Sequence, residues 1–514
     1  MNQISELVGL LGDEYQLCTC NVKNDTALKT LFSYLQEADE PSVEAAARQL
    51  GLEAGDPAFR KVKHQLKLHL LNALTAIEPA ERQTDRRQRA HNYVWKLIAI
   101  AKQLRTSVAS SVLLPYLQEA FRMCEDLELL DGAYQCAVML RRQYANRQFD
   151  PDKYQFYAKE ADRYRDMAFS YQDVAASLNH VNYLRNSRRP DEEVRLAARE
   201  ACKQHYSLIE RYDRAIISYL VYLLEINIHL AGKNYEAVIE TANKAIAYLE
   251  GKPTAQPTMF QVFEANLTVA YTQLNDYKRG TAFANRLLEK TSPSDFNYLK
   301  VYELLLLLAL RAGKFQEAYD TFLTIRPETL TRNMLSYYFE TFRIMEAYLY
   351  LLVQMDRIRT HPDDKTFERF RVSRFLNSFE YANGEKNSRN VHLMIIEIVD
   401  HVLNRRHNKS VYSIEAVNKY ASRHLKGKSH ERVRYFLKAL AQLATQQFHR
   451  AAVERHTTRY ITLMQKRPLS ESRLDFYLEL VPYEMLWSMI LDQLGYKRIR
   501  LRQTGNTVDK SKNT

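Results

Sequence analysis

Residues 232–237 read GKNYEA, in which Gly232 is followed by Tyr235 three positions on and by Ala237 five positions on. A small residue, an aromatic and a second small residue at this spacing mark a turn between two antiparallel helices. The pattern returns as Gly132, Tyr134 and Ala137, as Asn275, Tyr277 and Gly280, and as Gly313, Phe315 and Ala318. Gly232 and Asn275 lie 43 residues apart, and Asn275 and Gly313 lie 38 apart. Repetition at that period predicts a stack of helical hairpins, because one hairpin cannot bury its apolar face alone and must lay it on its neighbours.

Composition agrees with helices and disfavours sheets. Glycine and proline each number 13 in 514 residues, well below background usage, so the chain lacks the punctuation that strands and tight turns require. An apolar share of 46% and a charged share of 26% are those of a folded chain. The five cysteines, Cys18, Cys20, Cys124, Cys136 and Cys202, show no framework spacing and are read as reduced thiols. The first 15 residues hold Glu6, Asp13 and Glu14 and no Lys or Arg, the reverse of a secretory leader. The longest apolar run, Leu304 to Leu310, is far short of the roughly 20 residues a membrane-spanning helix needs. A soluble, cytoplasmic protein is expected.

Outward from the repeats, the chain divides into four parts. Residues 1–80 form an N-terminal three-helix unit, 81–360 the helical repeats, 361–502 a basic helical region and 503–514 a disordered tail. In the first part Leu28, Leu31, Phe32 and Leu35 make one apolar stripe. Pro41 is expected in the first turn of a second helix that buries Ala46, Ala47 and Leu50 and stops at Gly51. A third helix starts near Pro57, with Phe59, Val62, Leu66, Leu70, Ala73 and Ile77 on one face. In the repeats, Ala215 to Leu230 is apolar all round, as an inner helix would be, and Tyr235 to Leu249 is amphipathic, as an outer one would be. His361, Pro362, Asp363 and Asp364 break the rhythm and mark a boundary or bend. Beyond them helices are expected near 367–381, 390–405, 411–426, 430–446, 448–466 and 472–494.

The turn signatures, with Ala245 and Pro253 after the second, resemble the tetratricopeptide repeat over residues 92–353. That resemblance implies a right-handed α-solenoid of antiparallel helix pairs whose inner helices line a groove for a peptide or helix. Tyr420, Ala421, Arg423, His424 and Leu425, followed by Phe448, Ala451, Ala452, Glu454 and Arg455, make the chain similar to uncharacterised long helical-repeat proteins of Bacteroidetes, a likeness that implies no function.

Charge is distributed unevenly. Between Lys386 and Arg467 stand 17 Lys and Arg against five acids, so this one stretch accounts for the whole net charge of +12. Helical spacing arranges the cations in rows: Lys419, Arg423 and Lys426; Arg434 and Lys438; Arg455, Arg459 and Lys466. Such rows can hold an acidic protein segment, nucleic acid or an anionic lipid face, or can simply solvate outer helix faces. A second basic face lies near the N-terminus, where Arg60, Lys61, Lys63, His64 and Lys67 follow a short helix and a turn. The arrangement is that of a DNA-reading helix-turn-helix and equally that of a cap on the end of a solenoid.

Enzyme motifs are lacking. The chain has no phosphate-binding G-x-x-x-x-G-K-[ST] loop, no G-x-G-x-x-G turn, no H-E-x-x-H pair and no G-x-S-x-G elbow. Cys18 and Cys20 make one C-x-C pair without a second ligand pair, and His64 and His69, five apart on a helix, would not face one ion together. No cofactor and no metal are expected. The residues therefore point to a non-catalytic interaction scaffold with a protein or peptide in its groove and an acidic partner on its basic region. The alternative is a DNA-binding transcriptional regulator in which the repeats sense a ligand or oligomerise.

Overall fold

The computed structural model describes residues 4–5, 7–8, 26–38, 41–76, 86–104, 112–187, 189–291, 298–325, 336–379, 388–425, 430–467 and 479–499. Among these residues every regular element is helical and no strand occurs. The chain forms two compact units, Met1–Ser170 and Tyr171–Thr514.

In the first unit, α1 (Thr26–Glu37), α2 (Val43–Gln49) and α3 (Pro57–Ala76) close a small core of Leu28, Leu31, Phe32, Leu35, Ala46, Ala47, Phe59, Leu66, Leu70 and Ala73. These are the apolar stripes read from the sequence; Ile77 lies outside the described residues. Ile4 and Val8 join the same core. Pro41 does not enter the first turn of α2. Ser42 is the N-cap, its hydroxyl accepting from the Ala45 amide at 3.1 Å, and this side-chain bond starts the helix at Val43, after the proline. Gly51, at φ +68°, ends it as expected. Next come α4 (Arg86–Gln103), α5 (Leu114–Asp126), α6 (Leu130–Asn146) and the first part of α7 (Pro151–Asn186). Phe121 of α5 meets Tyr157 and Tyr164 of α7 edge-on, and Tyr144 of α6 stacks on Tyr157.

The second unit holds the rest of α7 and α8 (Asp191–His205), α9 (Leu208–Tyr212), α10 (Ala215–Ala231), α11 (Tyr235–Glu250), α12 (Pro257–Gln273), α13 (Tyr277–Glu289), α14 (Tyr298–Arg311), α15 (Phe315–Thr324) and α16 (Ser336–Gln354). It continues with α17 (Val372–Asn377), α18 (Ser388–Leu403), α19 (His407–His424), α20 (Glu431–Thr445), α21 (Arg450–Gln465) and α22 (Tyr483–Asp492). From α9 to α16 and from α17 to α22 successive helices pack on one another; α8 packs on α10, and α12 also touches α14, α14 touches α16, α16 touches α18, and α20 touches α22. In α14, Val301 and every residue from Glu303 to Arg311 are buried, whereas α11 and α13 keep one face in water.

One turn geometry joins the hairpins in both units. Glu128, Lys233, Asn275, Gly313, Asp356, Arg405 and Gln447 all have φ between +49° and +71°. The amide of the residue after each bonds back to the carbonyl five residues earlier: Leu129 to Cys124, Asn234 to His229, Asp276 to Tyr271, Lys314 to Ala309, Arg357 to Leu352, Arg406 to His401 and Phe448 to Leu443, at 2.7 to 3.0 Å. This is the Schellman closure, which satisfies a helix-end carbonyl while reversing the chain. Gly132 is not part of it, because it lies inside α6. A Cβ at that position would come within 2.8 Å of Cys124 Sγ, so the glycine there permits helix-to-helix approach.

The same turn recurs beyond Pro362, at Arg405 and Gln447. Residues 355–371 form a loop fastened to α15: Gln316 exchanges bonds with Arg359 at 3.0 and 3.2 Å, and the Tyr319 hydroxyl bonds Asp364 and accepts from the His361 amide. One hydrophobic cluster runs from Leu304 to Leu494 across this loop. Of the helix expected over 367–381, Val372–Asn377 is the helical part among the described residues; residues 367–370 precede it in a turn that packs Phe367 and Phe370 against Tyr350. The stretch expected as 472–494 contributes α22, and its first residues lie outside the described ones, as does the tail.

Candidate partner-docking surfaces

The cation rows of the basic region lie at the surface. Each helix turns its apolar side inward, with Ile414 and Val417 buried on α19, Phe436 and Leu440 on α20, and Val453 and Met464 on α21. Lys419 and Arg423 on α19, Lys438 on α20, Arg455 and Arg459 on α21 and Lys466 at its end are exposed, and Arg434 is half-buried. Lys426 lies outside the described residues. Among the described residues no carboxylate stands within ion-pair distance of those six exposed cations. Arg434 lies 3.9 Å from Glu431, whose other oxygen binds Arg467 at 2.8 Å. The rows lie on three successive helices, α19, α20 and α21.

Arg432, which the row reading passed over, points the other way. It is buried and bonds Glu479 through two nitrogens at 2.7 and 2.9 Å, Glu484 at 2.7 Å, and the carbonyls of Met464 and Arg467. Burial works against its charge, and the two carboxylates more than offset it, so its pKa lies above the usual guanidinium value. Glu479 is 1% exposed; its carbonyl accepts from the buried Arg311 at 3.0 Å and its carboxylate from the Tyr483 amide at 2.6 Å. Tyr483 stacks on Phe436 at 4.3 Å, Trp487 meets Phe436 edge-on, and Asp492 joins Arg357 at 2.7 Å and Arg450 at 3.1 Å. Residues 479–494 therefore cover parts of α14, α16 and α20. No local signal for Arg432 exists, since its partners lie 47 and 52 residues away.

At the N-terminus Arg60, Lys61, His64 and Lys67 are exposed and Lys63 is half-buried. The Arg60 guanidinium donates to the Gly55 carbonyl at 3.0 Å, within the turn before α3. Leu68 and Leu71, unremarked in the sequence reading, are exposed on the same helix.

Cys124, Cys136 and Cys202 are buried free thiols, and Cys18 and Cys20 lie outside the described residues. The contact with Cys136, followed by burial, raises the Cys124 pKa, and burial lifts Cys202 to about 11, so neither is a thiolate nucleophile near neutrality. His69 is half-buried and His64 exposed. Among the described residues no group of three or more His, Cys, Asp or Glu could hold a metal, and no helix is long and apolar enough to cross a membrane. Comparison of the chain with protein-family models, with curated proteins and with solved structures finds no match. Function is therefore argued from the side chains themselves.

Proposed function

We propose that the chain is a non-catalytic interaction scaffold of the cytoplasm, a tetratricopeptide-like right-handed α-solenoid that docks an acidic protein segment on α19 and α21. The observation that carries the reading is the set of exposed cations without a carboxylate partner among the described residues, Lys419, Arg423, Arg455, Arg459 and Lys466, on two helices of the same basic stretch. Cations that only solvated a surface would be expected to mix with acids, as they do over the rest of the chain, where 56 basic residues meet 56 acidic ones. The recurrent Schellman turn and the contacts between alternate helices support the solenoid. A peptide in its groove would lie along α10 and α12, since residues 479–494 already occupy the surface from α14 onward.

The test is binding of a fluorescent poly-glutamate peptide to the full chain at rising salt. Arg423→Glu, Arg455→Glu and Arg459→Glu together are expected to weaken binding by at least about ten-fold while the circular dichroism spectrum is kept. Unchanged binding would sink the acidic-partner reading. The DNA-binding reading is favoured by one observation, the exposed row Arg60, Lys61, His64 and Lys67 after a helix and a turn. It predicts a gel shift with duplex DNA that falls steeply with salt and is lost in Arg60→Glu, Lys63→Glu, Lys67→Glu.

A further inference from the structure

The outward face of α3 carries, beside the cations of the DNA-binding reading, two exposed leucines that neither reading uses. At about 100° per residue, Arg60, Lys61, His64, Lys67, Leu68 and Leu71 fall within one sector of about 120°, opposite the buried Phe59, Leu66, Leu70 and Ala73. Cations fill the first half of this face and leucines the second, with Leu68 48% and Leu71 41% exposed. No Asp or Glu occurs between Pro57 and Ala76. The next helix, α4, is also free of acids while carrying Arg86, Arg87, Arg89, Lys96 and Lys102, and it leaves Trp95 partly in water with its Nε1 2.9 Å from His91 Nε2.

We propose that α3 lays this face on an anionic lipid surface, with the leucine tips entering the boundary between headgroups and acyl chains and the cations holding lipid phosphates. Three partners can meet a basic face, and the leucines discriminate between them. Nucleic acid uses the cations and leaves two large apolar side chains facing phosphate and water. A protein uses such leucines as anchors only by offering a packed pocket for each, together with a desolvated rim. A bilayer accepts isolated apolar tips on a ridge without any preformed pocket, and its anionic headgroups attract the flanking cations at the same depth. No described helix spans a membrane, so the attachment is peripheral.

The experiment sediments the full chain with vesicles of equal parts phosphatidylglycerol and phosphatidylcholine, and with phosphatidylcholine alone. Binding to the first and not to the second is expected. Leu68→Ser with Leu71→Ser should lower the bound fraction by about ten-fold even at low salt, and Lys61→Glu with Lys67→Glu should abolish it. Both pairs are at the surface, so the urea midpoint should stay in place; Leu71→Gln alone is a second variant should the double one unfold. The proposal falls if anionic vesicles are not bound, if the leucine variants bind as well as the parent, or if duplex DNA is bound through the same cations while vesicles are ignored. It also falls if vesicle binding is lost only in Arg423→Glu, Arg455→Glu, Arg459→Glu, which would assign attachment to α19 and α21. Failure of poly-glutamate binding leaves it standing, because α3 belongs to the other unit.

Discussion

Arg432 on α20 and Arg455 on α21 come from the same basic stretch, and the fold gives them opposite tasks. Arg432 faces inward, tying residues 479–484 to α20 through the Glu479 and Glu484 carboxylates and holding the end of α21 through the Met464 and Arg467 carbonyls, whereas Arg455 faces water with no described carboxylate at ion-pair distance. Net charge along a sequence cannot separate the two. A charge that has lost its water must find partners wherever the chain brings them, and a charge that keeps its water is free for an external anion.

The largest expected effect breaks the inward member. Arg432→Ala leaves Glu479 buried and uncompensated, and should cost about 3 to 5 kcal/mol in urea unfolding. Arg432→Met together with Glu479→Leu should recover much of that loss, because the cost lies in the orphaned charge and not in a strong net attraction. Equal loss in the single and double variants would show that Arg432 holds the fold by packing alone. Next in size is Gly280→Ala. A Cβ there would sit 2.6 Å from Cδ2 of Leu308, a fully buried side chain of α14, so overpacking should cost about 1 to 3 kcal/mol. A neutral result would show that α14 can shift inside the cluster that residues 479–494 cover.

This contrast also says what was legible in the sequence. The helices were, because apolar residues at spacings of three and four are a direct consequence of burial on one side, as in Leu28, Leu31, Phe32 and Leu35. Three turns were, because Gly232, Asn275 and Gly313 open the small–aromatic–small signature. Those at Asp356, Arg405 and Gln447 were not: there ordinary residues adopt a left-handed conformation that costs each roughly 1 kcal/mol or more, held by the Schellman bond and by packing around it. The signature at Gly132 misled because a small residue can serve a helix contact as well as a turn. The exposure of the cation rows followed from helical periodicity. The docking of residues 479–494 on α14 did not, since Arg311 and Glu479 are 168 residues apart and no local pattern encodes their meeting.

A change of pH separates inward from outward groups within the basic region. Burial lowers the pKa of His401, and burial followed by the Arg405 charge lowers that of His407, which packs against Phe448 at 4.4 Å. A histidine whose folded pKa lies below its unfolded value of 6.5 binds a proton more readily in the unfolded chain. Stability should therefore fall as the pH drops below about 6.5, and level off once the folded pKa values are passed. His407→Gln should flatten the dependence of the urea midpoint between about pH 7 and pH 5. An unchanged pH dependence in His407→Gln would show that burial of this ring does not set the response.

The smallest effect on stability should come from the outward member, and its smallness is what makes it informative. Arg455→Ala or Arg459→Ala removes no described ion pair and no buried surface, so the urea midpoint should move by less than about 0.5 kcal/mol equivalent. Binding of an acidic segment should nevertheless weaken and lose part of its salt dependence, because a desolvated partner carboxylate loses its cation. If both variants destabilise the fold as much as Gly280→Ala does, these arginines work through their stems on the surface of α21. The outward charge would then be a by-product of packing, and the distinction between the two arginines would be one of degree.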